Sequence, residues 1–235
     1  DVCSSDLAGY DEREINGWHV FSQSLIDHAS QPVSLTPIMG EQRDGSNRFI
    51  YARFLVPELC GFDGMAIFMD GSDMLVRQDI AKLADMYDPS FAVQVVKHDY
   101  QTRHPHKFIG TAMEAENASY PCKNWSSVII WNCGHPSNRV LTKEYVAGHP
   151  GSHLHRFAWL DNHEIGSLPH SWNHLVGEES QIDPAVVHFT LGIPKMEHYR
   201  ECDFAPDYAA VLNRIRSEEH TSELQSHHDL VCRLL

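Results

Sequence analysis

The stretch Met65-Ala66-Ile67-Phe68-Met69-Asp70-Gly71-Ser72-Asp73-Met74-Leu75-Val76 constrains the fold of this chain more than any other. An apolar run bounded by Gly64 climbs to two carboxylates, and a second apolar run leaves them. The first run is short and does not alternate, so it reads as a strand buried on both faces. Such a strand tolerates charge only where it emerges, and open α/β sheets bind ligands at the carboxyl ends of their strands. Two carboxylates placed there repel each other unless a cation lies between them. Hard oxygen donors suit Mg²⁺ or Mn²⁺. Asp-Gly-Ser-Asp is equally good turn chemistry, so the local sequence leaves a metal site and a solvated turn both open.

Both ends of the chain are set aside. Residues 1–7 and 216–235 read as translated sequencing-adapter sequence, which has no place in fold reasoning. The expected domain is 8–215, with material for a single large core and a first strand truncated to Ala8 and Gly9. The formal charge of −14 argues against nucleic acid or an anionic membrane surface as a partner. An anionic ligand then needs a local cation. Cys60, Cys122, Cys133 and Cys202 lack C-x-x-C spacing, so neither a zinc knuckle nor a disulfide framework is indicated, and a cytoplasmic location is expected. No apolar run approaches the ~18–20 residues of a membrane span.

Strands and helices alternate along the rest. From Glu12, the spacing of Ile15, Trp18, Phe21, Leu25 and Ile26 predicts a helix, with Asp11 as N-cap and Glu14 three residues on. Val33–Ile38 reads as a strand, and Pro37 puts it at an edge. Phe49–Cys60 reads as a helix with Tyr51, Phe54, Leu55 and Leu59 on one face, ended by Gly61. A short helix is expected over Asp79–Met86 and a strand over Phe91–Val96. Residues 101–122 lack periodicity and read as a long functional loop. Strands follow over Ser126–Asn132 and Ala185–Phe189, with a short helix over Leu141–Ala147 between them. This order gives an α/β layered domain with a largely parallel sheet. His153 and His155 have the spacing of metal ligands along a strand, although surface polarity explains them as well. No dinucleotide fingerprint, Walker loop or H-E-x-x-H occurs.

Four stretches, taken in order, resemble a known family. Ile67-Phe68-Met69-Asp70-Gly71-Ser72-Asp73-Met74-Leu75-Val76 is similar to an apolar-D-x-D-apolar metal motif. Trp125-Ser126-Ser127-Val128-Ile129-Ile130-Trp131-Asn132 looks like an F-N-S-G-V-apolar-apolar-N strand. Trp159-Leu160-Asp161-Asn162, then Leu168-Pro169 and Trp172-Asn173, look like a D-Q … L-P … W-N segment. Val187-His188-Phe189 with Gly192 and Lys195 is similar to an H-F-x-G-x-x-K strand end. Together they resemble the A-type nucleotide-sugar glycosyltransferases, in particular the retaining family 8 group that includes glycogenin and bacterial galactosyltransferases. The chain departs from that pattern at several points. Its acidic motif is D-x-x-D, which would need a bulge to bring Asp70 to an ion. Ser127 stands for glycine, Asn162 for glutamine, and Gly192 falls one place late.

The resemblance implies a single-domain, Rossmann-like α/β fold with a mostly parallel central sheet. It implies a metal-dependent transfer of a hexose from a nucleotide-diphosphate sugar, a UDP-sugar in the first instance, to a saccharide, lipid or protein acceptor. Asp73 and His188 would hold Mn²⁺ or Mg²⁺, with Asp70 as a further ligand or a ribose contact. Lys195 would add positive charge to the phosphates, and Tyr10 and Asp11 would sit by the base. Asp161 would lie beneath the donor sugar, with Asn162 beside it as the other catalytic candidate. The loop 101–122 would be a lid or an acceptor contact. Two other classes remain. A sugar-nucleotide pyrophosphorylase or other nucleotidyltransferase would want a Gly- and Lys/Arg-rich loop after the first strand, and Asp11-Glu12-Arg13-Glu14 is a poor one. A non-catalytic nucleotide-sugar-binding domain would keep the fold without turnover.

Overall fold

The computed structural model describes residues 5–41, 43, 47–180 and 183–217. Residues 1–4 and 218–235, most of the two segments set aside above, lie outside the described residues.

The central sheet has six strands: β1 (Ser5–Gly9), β2 (Leu35–Ile38), β3 (Met65–Met69), β5 (Val93–Val95), β8 (Val128–Asn132) and β9 (Ile165–Ser167). They are ordered β2-β1-β3-β8-β5-β9. Parallel pairings join β1 to β2, β1 to β3 and β5 to β9, while β8 runs antiparallel to both of its neighbours. β3 is buried along its whole length, as an unbroken apolar run in the middle of a two-sided sheet requires. Helix α1 (Ile15–His28) packs one face through Phe21 and Leu25. The opposite face carries a cluster around Phe49, Phe54, Phe68, Trp131 and Phe157. The mixed α/β architecture and the edge position of β2 agree with the sequence.

A second sheet places the chemistry. The chain turns after β3, and β4 (Met74–Val76) leaves the central sheet to join β11 (Val186–His188) and β10 (His174–Leu175). β4 and β11 are antiparallel, with Met74 opposite His188. The Phe189 amide donates to the Asp73 carbonyl at 2.8 Å, so this ladder carries Asp73 and His188 to the same spot. Val187 and Phe189 pack with Tyr208 and Leu212 of a helix over 205–217.

Four expectations are corrected. The first strand is not cut back to Ala8, because backbone pairing with β3 begins at Ser5. The helix expected over Phe49–Cys60 is a 3-10 turn, Ala52–Leu55, and then one α turn, Val56–Leu59; Leu59 is 60% exposed and belongs to no core face. Pro57, in the first turn, keeps the segment from being one continuous helix. Residues 101–122 are not bare loop: β6 (His106–Lys107) pairs with β7 (Ala115–Glu116), and Phe108 and Met113 are buried. Glu14 does not complete a capping box, since both of its carboxylate oxygens are buried without a hydrogen-bond partner among the described residues.

Candidate functional site

The turn and the candidate metal ligands Asp70 and Asp73 are the same structure. Residues 70–73 form a turn in which the Ser72 amide donates to the Asp70 carbonyl and the Met74 amide to the Gly71 carbonyl. Gly71 has φ +69°, and a Cβ there would sit 2.7 Å from the Gly9 carbonyl oxygen, so only glycine fits. The Asp70 amide donates to the Ser127 carbonyl, continuing the β3–β8 ladder. The Ser72 hydroxyl donates to the Gly9 carbonyl and accepts from the Asp11 amide, each at 3.2 Å. This pins the turn to the end of β1. The turn, rather than a bulge, brings both carboxylates of D-x-x-D to one side.

Asp70, Asp73 and His188 are buried, and one donor atom from each lies within 4.8 Å of the others. His188 Nε2 is 3.3 Å from Asp73 Oδ2 and 3.8 Å from Asp70 Oδ2. Asp73 Oδ1 is buried with no hydrogen-bond partner among the described residues. His188 Nδ1 faces Asn173 Oδ1 at 2.9 Å. An amide oxygen only accepts, so His188 carries a proton on Nδ1, and Nε2 is the nitrogen that faces the carboxylates: a donor to Asp73 Oδ2 when protonated and a ligand when not. The chain continues outward: Asn173 Nδ2 donates to His98 Nε2 at 3.0 Å, and His98 Nδ1 donates to Glu179 Oε1 at 2.8 Å. Every link points the same way, and the arrangement is the one that orients a metal-ligating imidazole.

Two cations missed in the sequence face this site. Arg53 NH1 lies 2.6 Å from Asp70 Oδ1, an ion pair without the alignment of a hydrogen bond. The same nitrogen donates to the Ser126 carbonyl at 2.8 Å, and the guanidinium lies over the Phe49 and Phe68 rings. Lys107 reaches in from β6, where burial lowers its pKa against the pull of Asp73, Asp70 and Glu14. Burial holds the Asp70 carboxyl above its ordinary value despite Arg53. Burial also opposes protonation of His188, but Asp73 and then Asp70 outweigh it and raise its pKa. His155 is pushed down to about 3, by burial first, and its Nδ1 lies 2.7 Å from Ser126 Oγ.

These side chains enclose a cavity of ≈ 60 Å³, closed on one side by Lys107, Phe108 and Tyr120 of the 101–122 segment. That volume takes an ion and its waters but falls well below the ~300–1,000 Å³ of small-ligand sites.

The other sequence candidates do not line this cavity. Tyr10 is half-buried and packs edge-on against Trp18. Asp11 is fully buried, caps the turn Glu12–Glu14, pairs with Arg13 and accepts from the Arg48 amide at 3.1 Å. Lys195 is exposed in the loop after β11. Asp161 and Asn162 are exposed, and Asp161 makes a capping box with Glu164 at the turn Asn162–Glu164. His153 and His155 do not pair: His153 meets Tyr145 while His155 meets Ser126, because a helical turn and not a strand carries them.

Comparison with known proteins gives one sequence relative and several structures. No family model matches the chain. Protein CDI of Arabidopsis thaliana is 38% identical over 217 residues, covering 85% of this chain and 82% of CDI. The apo structure of the bifunctional glycosyltransferase WbbM matches with TM-score 0.54 and 15% identity over 90% of this chain and 50% of WbbM. The glycosyltransferase GlyE of Streptococcus pneumoniae matches with TM-score 0.54 and 12% identity over 92% of this chain and 64% of GlyE. The galactosyltransferase LgtC, solved with donor and acceptor sugar analogs, matches with TM-score 0.53 and 12% identity over 89% of this chain and 95% of LgtC. The chain thus spans half of WbbM, under two thirds of GlyE and nearly all of LgtC. At these identities the likeness is one of fold, and the fold is that of the A-type glycosyltransferases.

Proposed function

The chain belongs to the family of Arabidopsis protein CDI and has an A-type glycosyltransferase fold, and from that premise we propose that it is a metal-dependent glycosyltransferase. It moves a hexose from a nucleoside-diphosphate sugar, a UDP-sugar in the first instance, to a saccharide, lipid or protein acceptor. The domain that does so is 8–215. Free Cys60, Cys122, Cys133 and Cys202 suit a reducing, cytoplasmic setting. Among the described residues no helix is long and apolar enough to cross a membrane.

One observation carries this reading. Asp73 Oδ1 is buried with no hydrogen-bond partner among the described residues, and Asn173 takes Nδ1 of the neighbouring His188, which leaves Nε2 as the nitrogen that can coordinate once unprotonated. A buried carboxylate oxygen left without a hydrogen bond is costly, and a divalent ion would remove that cost. Two carboxylates and one imidazole form a mixed oxygen and nitrogen donor set that suits Mn²⁺ or Mg²⁺. Asp73 and His188 would hold the ion with Asp70 Oδ2, while Arg53 keeps Asp70 Oδ1. When bound, such an ion supplies Lewis-acid stabilisation of a leaving diphosphate.

The chain's own residues do the rest. Asn173 fixes the His188 ring and its tautomer. Arg53 holds Asp70 in place through the Ser126 carbonyl. Lys107 offers a second cation to phosphate oxygens, the role that Lys195 takes in the resemblance. The Lys107–Phe108–Tyr120 wall excludes water, and it must swing outward to admit a nucleotide sugar, which gives 101–122 the role of a lid. Asp161 and Asn162 sit in an exposed cap outside this cavity.

A second reading draws on the Arg53–Asp70 pair. Arg53 and Lys107 offset the carboxylates without an ion, as a binding domain without turnover would need. A screen of nucleotide sugars for Mn²⁺-dependent donor hydrolysis separates the two. Hydrolysis of one donor, lost in Asp73→Ala, supports the transferase. Nucleotide binding without hydrolysis of any donor supports the binding domain.

A further inference from the structure

On the far side of Asn173 a second group of donors converges. His98 follows β5, His170 opens the 3-10 turn His170–Asn173, and Glu179 lies in the turn after β10. One donor atom from each lies within 4.8 Å of the others. Glu179 Oε1 is 2.8 Å from His98 Nδ1 and 3.5 Å from His170 Nδ1. A tetrahedral ion with bonds of ~2.0–2.1 Å keeps its donors about 3.3 Å apart, so small movements seat one. A further feature points to a ligand here. His174, 1% exposed, holds Nδ1 3.8 Å from Glu179 Oε2 with no hydrogen-bond partner among the described residues. The cluster has a buried wall at His98 and an open side at His170. Burial lowers the pKa of His98 and of His174. Burial opposes ionisation of Glu179, but His98 pulls its pKa below the ordinary value.

We propose that His98, His170 and Glu179 form a second metal site, for a zinc-class ion, whose occupancy antagonises the ion site at Asp73 and His188. Two imidazoles and a carboxylate with an open position are a zinc donor set, softer than the first site. The antagonism follows from hydrogen-bond direction. With an ion on His98 Nδ1, the neutral ring carries its proton on Nε2. Asn173 must then turn its amide so that Oδ1 accepts from that nitrogen, giving up the 3.0 Å bond from its Nδ2 to the Asn124 carbonyl. Nδ2 now faces His188 Nδ1, which becomes the acceptor. The proton of His188 moves to Nε2, the atom that the first ion needs. The second site stands by itself, whereas the antagonism rests on the reading of the first.

The test uses the full chain and two variants, Asp73→Ala and His170→Ala. Zn²⁺ binding is measured by titration, and Co²⁺ reports the ligand field by its visible absorption. His170 is exposed, so its loss spares the core. Asp73→Ala is expected to keep Zn²⁺ binding. His170→Ala is expected to weaken it by about tenfold or more, since even outer partners of a ligand are worth roughly 10–100-fold. Zn²⁺ is also expected to weaken Mn²⁺ binding, read by electron paramagnetic resonance, in the wild-type chain and not in His170→Ala. Zn²⁺ binding that survives His170→Ala and vanishes in Asp73→Ala overturns the site. Zn²⁺ bound through His170 with Mn²⁺ affinity unchanged overturns the antagonism. His170-dependent Zn²⁺ binding with no Mn²⁺ binding at all fails the first site and leaves the second standing.

Discussion

His188 Nε2 stands 3.3 Å from Asp73 Oδ2 although 115 residues separate them in the chain. The antiparallel register of β4 and β11 accounts for this, because it sets His188 opposite Met74, the neighbour of Asp73. The carboxyl end of β3 therefore carries a nitrogen donor drawn from a different sheet.

That pairing sets a pH dependence. Burial opposes the charge on His188, but Asp73 and Asp70 raise its pKa above 6.5. Without an ion, the contribution to stability is fully present below the unfolded value and is lost as pH rises through the folded one. Ion binding requires Nε2 unprotonated and runs the opposite way. Mn²⁺ affinity, followed by electron paramagnetic resonance, should climb as pH rises past 6.5 and through the raised pKa of His188. His188→Asn should flatten that slope. A flat wild-type profile would count against the ligand role.

Glu14 predicts a stabilising change. Its carboxylate is buried without a hydrogen-bond partner among the described residues, and burial, followed by the charges of Asp73 and Asp11, raises its pKa well above 4.5. The contribution of Glu14 to stability is then fully present below 4.5 and is lost as pH rises through the folded value. Glu14→Gln should match the wild type in acid and exceed it at about pH 8 by about 1–3 kcal/mol, read by urea unfolding. Equal stability at both pH values would show that the carboxyl finds partners.

Gly17 predicts a link between packing and site. A Cβ at Gly17 would lie 1.7 Å from the Ser72 carbonyl oxygen, so helix α1 presses directly on the turn that holds both carboxylates. Gly17→Ala should cost about 1–3 kcal/mol by overpacking and weaken Mn²⁺ binding as the turn shifts. Gly148→Ala, where a Cβ meets nothing within 4 Å, serves as the control. Unchanged stability and unchanged Mn²⁺ affinity in Gly17→Ala would contradict the contact.

Much of this was legible in the sequence, and for physical reasons. Met65–Met69 can only be a central strand, so Asp70 and Asp73 had to fall at its end. Pro37 placed β2 at an edge. The direction of β8 was not legible, since an apolar run looks the same paired either way. Arg53 was hidden inside the apolar run Phe49–Leu55, where one charge among aromatics reads as an exposed helix position; the signal was that it interrupts the apolar stretch. Lys107 sits in an aperiodic segment that carries no local pattern. Asn173 stood in a recognised motif, but its role depends on His98 and His188, both remote in the chain. His188 itself was found through the order of motifs and not through its own surroundings.

The central claim is that Asp73 and His188 share one divalent ion and that this ion holds a nucleoside diphosphate. Calorimetric titration of UDP into the wild-type chain and into Asp73→Asn, each with and without Mn²⁺, tests it most directly. The account predicts UDP binding to the wild type with Mn²⁺ present, and loss of about tenfold or more in affinity when either the ion or the Asp73 carboxylate is removed. UDP binding of equal strength without Mn²⁺, or Mn²⁺-dependent binding that survives Asp73→Asn, would contradict it.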